Sequence, residues 1–211
     1  MSRFTFLYDD ACPMCQAYTS AFAKTGISDR CVFSEVNLAH WPQLNIQRGR
    51  HEIPMRDGQT GEVRYGLDAM TFALATKLPL LAPLLRSTGL MRLLKPLYWL
   101  ITYNRRTIAG TCAPLAGLDC APDRHVGWRL TYIVLVLVTL SLIGGPGQLL
   151  SLALGFALIF GLYRSADRLD FTGQLSTVAL LMSVLCAVLP EGSGAIVAAI
   201  IGGWEAARRI W

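Results

Sequence analysis

Two cysteines separated by two residues, Cys12 and Cys15, carry the clearest chemical potential in this chain. They follow a β-rich run, Phe4 to Tyr8, and two acids, Asp9 and Asp10, and they precede a helical pattern that begins at Gln16. Strand, tight loop, paired thiols and helix start, in that order, are what a dithiol redox site requires. Cys12 then falls at the N-cap or first position of the helix, and Cys15 one turn further on. The unpaired N–H groups and the dipole at a helix start favour a thiolate, so Cys12 is expected to be acidic. Pro13 suits the first helical turn, where no N–H is needed. The expected chemistry is exchange. Cys12 attacks a substrate disulfide, and Cys15 resolves the mixed disulfide. Asp9 is a candidate for moving protons to and from the thiols, and one of the two acids serves equally well as the helix cap. Two blander readings stand beside this one: half of a zinc site, which no second Cys-x-x-Cys completes, and buried core cysteines.

The elements that must position the thiols follow in order. Gln16 to Lys24 reads as a helix with Tyr18, Ala21 and Phe22 on one face, stopped at Gly26. Cys31 to Val36 reads as a second strand, parallel to the first through a right-handed crossover. Residues 37–51 are polar and read as irregular. Glu52 to Arg56 and Glu62 to Tyr65 read as a hairpin around Asp57-Gly58-Gln59-Thr60-Gly61. Asp68 is expected to cap a helix from Ala69 to Lys77. This order predicts an α/β, thioredoxin-like domain. Such domains carry a cis-proline before the strand that faces the dithiol, and Pro54, after Ile53, is the candidate for that substrate-shaping position. Pro13 completes the expected substrate-facing surface. His40, His51 and His125 do not cluster in the sequence, and no histidine metal site is expected.

The spacing Asp9-x-x-Cys12-x-x-Cys15 after an apolar strand resembles the DCC family of thiol-disulfide oxidoreductases. Gly66-Leu67-Asp68-Ala69 after a short hairpin is similar to the corresponding stretch of that family. So is Tyr98-Trp99-Leu100-Ile101-Thr102-Tyr103-Asn104-Arg105, followed by Cys112. The resemblance covers roughly residues 3–122. Asp10 departs from it, because many members carry Gly there, and the second acid adds negative charge beside the thiols. The resemblance implies dithiol–disulfide exchange with a protein or a low-molecular-weight thiol or disulfide. It implies no particular substrate.

Composition places the rest. The chain is 53% hydrophobic and only 16% charged, below the usual quarter or so, so part of it is expected to face lipid. Residues 1–129 hold 15 Lys/Arg against 10 Asp/Glu, and residues 130–211 hold four of each. The basic excess therefore belongs to the N-terminal half, where it suits an anionic membrane surface better than nucleic acid. Residues 78–106 are apolar with intermittent cations and read either as a helical layer on the sheet or as an interfacial extension on the bilayer, cut into pieces by Pro79, Pro83 and Pro96. Asn104 and Arg105 read either as structural caps, which is preferred, or as residues that recognise a partner. Cys112 and Cys120 head two similar Cys-Ala-Pro pieces that match no metal spacing.

From Trp128 onward the sequence becomes membrane-like. Leu130–Ile143, Leu149–Tyr163, Leu175–Leu189 and Ala195–Trp204 form four nearly charge-free cores, each extended by flanking residues. Arg124 and Arg129, Arg164 and Arg168, and Arg208 and Arg209 alternate with glycine-rich turns that contain no Lys or Arg. By the positive-inside rule the N-terminal domain, the middle loop and the C-terminus face the cytoplasm of an inner-membrane protein. The cores lack acidic or basic residues, which argues against an ion pump. The expectation is thus a domain over residues 1–125 and a multi-pass region over 126–211. The N-terminus shows no export signal. Exchange of this kind needs an electron donor but no dissociable cofactor. Two rivals remain: a thiolate module that carries Cu or Zn, and a non-catalytic membrane scaffold.

Overall fold

The computed structural model describes residues 2–110, 125–143, 168–189 and 193–210. It divides into two units, residues 1–124 and 125–211. Cys112, Cys120, the second apolar core and the middle loop up to residue 167 lie outside the described residues.

The first unit is mixed α/β. Strand β1 (Phe4–Tyr8) leads through the thiol loop into helix α1 (Pro13–Lys24), and β2 (Ser28–Val32) returns parallel to β1, with Phe4 opposite Ser28 and Tyr8 opposite Val32. Strand β3 (Pro54–Asp57) pairs antiparallel with the other edge of β1, Phe6 opposite Met55, and β4 (Val63–Tyr65) pairs antiparallel with β3. The sheet order is β2-β1-β3-β4, which makes β1 a central strand. Its residues fill both faces. Phe4 and Phe6 pack with Ile53, Met55, Ala69 and Ala73, while Leu7 packs with Phe33 and Trp41 on the opposite side. Phe6 meets Phe22 of α1 edge-on, with ring centroids 5.3 Å apart. Each such buried aromatic contributes about 1.5–3 kcal/mol over the exposed state, so the face carrying α1 is firmly held to the sheet.

Several elements depart from the sequence reading. The second strand ends at Val32 rather than Val36. Phe33 opens a 3-10 turn (Phe33–Glu35) that buries its ring, which an extended continuation would carry past the core. Residues 37–51 are not irregular throughout: Asn45 accepts the Arg48 N–H at 3.0 Å and caps a short helix, α2 (Ile46–His51). Helix α3 (Gly66–Lys77) starts at Gly66, so Asp68 lies in its first turn instead of capping it. Gly66, at φ +57°, turns the chain out of β4 and donates its N–H to the Ile53 carbonyl at 2.8 Å.

The apolar segment after α3 is also longer in helix than expected. A 3-10 turn (Pro79–Leu81) does begin at a proline, and α4 (Ala82–Leu85) carries Pro83 as its second residue. Pro96, however, sits inside α5 (Thr88–Ala109), a helix of 22 residues capped by the Ser87 hydroxyl. A proline removes one helical N–H donor. Pro96 is on the exposed face, where solvent can take up the orphaned carbonyl. Leu80, Leu84, Leu93 and Leu97 are also exposed, Leu80 almost completely.

The second unit consists, among the described residues, of helices α6 (Val126–Ile143), α7 (Arg168–Val188) and α8 (Ser193–Ile210). Two segments, Val126–Ile143 and Leu169–Val188, are long and apolar enough to cross a membrane, and Gly194–Glu205 is a shorter apolar stretch. Helices α6 and α7 are joined by a 2.8 Å hydrogen bond between the Tyr132 and Thr177 hydroxyls and a 2.7 Å ion pair between Arg129 and Asp170. Gly202 of α8 lies so close to Met182 of α7 that a Cβ there would fall 2.5 Å from the sulfur.

Candidate dithiol site

Helix α1 begins at the thiols for a local reason. Cys12 adopts extended backbone angles (φ −100°, ψ 107°) and is the N-cap, and Pro13 takes the first helical position. The capping group is sulfur: the Cys12 Sγ accepts the Cys15 N–H at 3.5 Å. Asp9 shapes the approach instead of capping the helix. Its carboxylate accepts the Ala11 N–H at 2.9 Å, and its carbonyl accepts the Cys12 N–H at 3.2 Å. The Gln16 side chain donates to the Asp10 carbonyl and closes the loop from the helix side. Asp9 is nearly buried, whereas Asp10 is half-exposed.

The two thiols occupy different surroundings. Cys12 is half-buried and Cys15 is 2% exposed, and both are free thiols. The Cys12 thiol is driven down to about 6. Its largest cause is the hydrogen bond from the Cys15 side chain. Burial opposes this, the Cys15 N–H and the positive charge of Arg105 assist, and the Asp9 charge works against it. The Cys15 thiol is pushed up, first by its hydrogen bond to Cys12, then by burial, then by the charge on Cys12. One proton shared by the pair thus leaves Cys12 as the thiolate and Cys15 as the thiol, which is the division of labour that exchange needs.

Sequence reasoning missed three residues around this pair. Tyr18, one turn beyond Cys15 on α1, directs its hydroxyl at the Cys15 sulfur across 3.6 Å. Burial, then the neighbouring Cys15, hold the Tyr18 phenol well above its ordinary value. Arg105 of α5 is 7% exposed and donates to the Arg50 carbonyl at 2.6 Å. Its charge acts on both sulfurs and on Tyr18. Tyr98, two turns earlier on α5, is pushed up to about 12, chiefly by burial. The i, i+3 spacing of Cys15 and Tyr18 is the available signal, since it makes the two side chains neighbours on one face of a helix.

Pro54 does not meet its expectation. The Ile53–Pro54 bond is trans, and the proline is fully buried, its ring close to Gly49. It opens β3 beside the end of β1 from which the thiol loop departs. Pro13 is exposed at the helix start. Among the described residues, no three or more His, Cys, Asp or Glu side chains gather as a metal-binding group.

Comparison of the chain with protein-family models, with characterised proteins and with solved structures returned no match.

Proposed function

We propose that the chain is a membrane-anchored thiol–disulfide oxidoreductase with a thioredoxin-like catalytic domain of the DCC kind. The observation that carries this reading is the asymmetry of the pair: an accessible, acidic Cys12 at the helix N-cap against a buried, proton-holding Cys15. The β1-α1-β2 unit followed by an antiparallel hairpin and a helix, in the order β2-β1-β3-β4, supports the thioredoxin-like assignment. Cys12 attacks a disulfide of a protein or a small molecule, and the released thiolate leaves. Cys15 then attacks Cys12, and the substrate departs with two electrons while the Cys12–Cys15 disulfide forms. A thiol or reductase must return the electrons. Asp9, held beside the Cys12 amide, assists proton movement.

The two long apolar helices support a membrane location, and the order of basic residues supports a multi-pass arrangement with the dithiol domain in the cytoplasm. The exposed leucines of residues 78–101, together with Arg86, Arg92 and Lys95, fit an anionic lipid surface. Between Asp68 and Asp119 the chain contains no acidic residue to oppose that attraction.

A redox titration of the full chain tests the function, with alkylation of Cys12 and Cys15 read by intact mass. A reversible two-electron midpoint within about −270 to −120 mV, the range of known dithiol catalysts, is expected. Failure of the pair to close at any potential removes the oxidoreductase reading and leaves a metal carrier or a scaffold. Single cysteines introduced at Gly145 and Ser165, in a background free of the native thiols, test the topology. An impermeant maleimide should reach position 145 from outside and position 165 only from the cytoplasmic side.

A further inference from the structure

Resolution by Cys15 poses a physical problem that exchange alone does not answer. The attacking species must be a thiolate, yet Cys15 is 2% exposed, and burial disfavours its charged form. Something inside the domain must take the place of water at that sulfur. The groups that act on it are few. Cys12 and Tyr18 face it from α1, and Arg105 and Tyr98 act on the same cluster from α5; Asp9 acts on Cys12 from the loop, and Glu52 acts on Tyr98 from the end of α2. Of these, Tyr18 makes the side-chain hydrogen bond to Cys15 that survives when Cys12 is consumed, with its hydroxyl 3.6 Å from the sulfur.

We propose that Tyr18 is a catalytic residue of the resolving step, donating its hydroxyl proton in a hydrogen bond to the Cys15 thiolate while the buried Arg105 guanidinium supplies the balancing charge. This rests on the exchange reading above. In the free dithiol the Cys12 thiolate suppresses ionisation of Cys15 through both its hydrogen bond and its charge. Formation of the mixed disulfide removes that charge, because the Cys12 sulfur is now bonded to the substrate sulfur. Tyr18 and Arg105, which both lower the Cys15 thiol, then act without that opposition. Cys15 loses its proton, its sulfur bonds to Cys12, and the bond from Cys12 to the substrate sulfur breaks. The departing sulfur takes up the proton, so the step releases a neutral thiol. Tyr18 keeps its own proton throughout, as expected of a phenol held well above its ordinary value by burial. Cys15 is therefore inert until Cys12 has reacted, which fixes the order of the two attacks.

The test uses full-length protein in lipid nanodiscs, with bis(2-hydroxyethyl) disulfide as the probe and acid-quenched intact mass as the readout. In Tyr18→Phe the Cys12 mixed disulfide should accumulate, with closure slowed about ten- to a hundredfold, the usual worth of a hydrogen bond to a charged group. A second variant with 3,5-difluorotyrosine at position 18 keeps the ring and strengthens the donor. It should close at least as fast as wild type, with its pH profile moved to lower pH, a change that a purely structural tyrosine would not produce. Closure at the wild-type rate in Tyr18→Phe, or a pH profile that fluorination leaves in place, overturns the proposal while exchange stands. A wild type that yields neither a Cys12 mixed disulfide nor a Cys12–Cys15 disulfide with the probe overturns exchange itself, and the role of Tyr18 with it.

Discussion

The amide of Cys15 points at the sulfur of Cys12 across 3.5 Å, so the residue proposed to resolve the mixed disulfide also supports the thiolate proposed to form it. The thiol of Cys15 adds a second hydrogen bond to the same sulfur. The pair is thus one unit, and single substitutions report on different halves of its cycle.

Cys12→Ser should abolish exchange, because the accessible nucleophile is gone. Cys15→Ser should still attack and then stall, with the probe retained on Cys12. Intact mass after incubation with a disulfide distinguishes the two. Turnover by the Cys12 variant would assign the attack to another thiol.

The pH dependence of Cys12 alkylation should inflect at about 6, with the rate rising as pH increases through that value. The thiolate is the reacting form, so the sign is fixed. In Cys15→Ala the side-chain hydrogen bond disappears while the helix-start N–H remains. The inflection should move upward, toward the ordinary thiol value of about 8.5. An unmoved inflection would credit the helix terminus alone.

Arg105→Gln should raise the Cys12 inflection, since the Arg105 charge assists the thiolate. It also removes the guanidinium that donates to the part-buried Arg50 carbonyl, and a hydrogen bond from a charged group contributes about 1.5–3 kcal/mol. Iodoacetamide kinetics and thermal unfolding, measured on the same sample, separate the two effects. An unchanged inflection would confine Arg105 to packing.

Asp57 and Arg3 tie β3 to the chain before β1 through a 2.5 Å ion pair, with the Asp57 carboxylate buried. The hydrogen bond from Arg3 holds Asp57 below the usual carboxylate range. A depressed carboxylate adds stability that is complete above its unfolded value of about 3.9 and is lost as pH falls through its folded value. Protection of the β1 and β3 amides, taken relative to the intrinsic exchange rate at each pH, should therefore fall below about pH 4 in wild type. Asp57→Asn should show faster exchange already at pH 7 and a flatter dependence below it.

Leu93 and Leu97, on the exposed side of α5, should enter lipid. Spin labels attached through p-acetylphenylalanine at either position should be accessible to oxygen and shielded from a nickel chelate in anionic nanodiscs. A label at exposed Gln59 should show the reverse. Equal access of the chelate to positions 93 and 59 would return α5 to an ordinary solvated surface.

What could be read from the sequence was whatever local order encodes. Phe4 to Tyr8 and the Cys-x-x-Cys mark the strand, the loop and the N-cap, because alternation, punctuation and capping all act within a few positions, although the helix starts at Pro13, before the Gln16 that opens its periodic pattern. Short elements failed: α2 is six residues long and carries no measurable period, and β2 ends where Phe33 finds a pocket made by distant residues. Pro96 was read as a breaker, since the exposure that lets a helix tolerate proline is a tertiary property. Tyr18 does pack on the apolar face that its spacing predicts, and periodicity says nothing of the hydroxyl that reaches the Cys15 sulfur from there. Arg105 comes 90 residues after Cys15, and only the packing of α5 against α1 turns it into part of the site.

Gly66 sits where α3 begins, and a Cβ there would fall 2.6 Å from the Tyr98 hydroxyl and 3.0 Å from a Glu52 oxygen. Tyr98 rides on the same helix as Arg105. Any side chain at position 66 must push the Tyr98 hydroxyl aside and must also adopt a left-handed backbone, which only glycine takes without strain. A mutation at this glycine therefore loads two elements at once, the turn into α3 and the helix whose Arg105 charge acts on the thiols, although it lies outside the thiol loop.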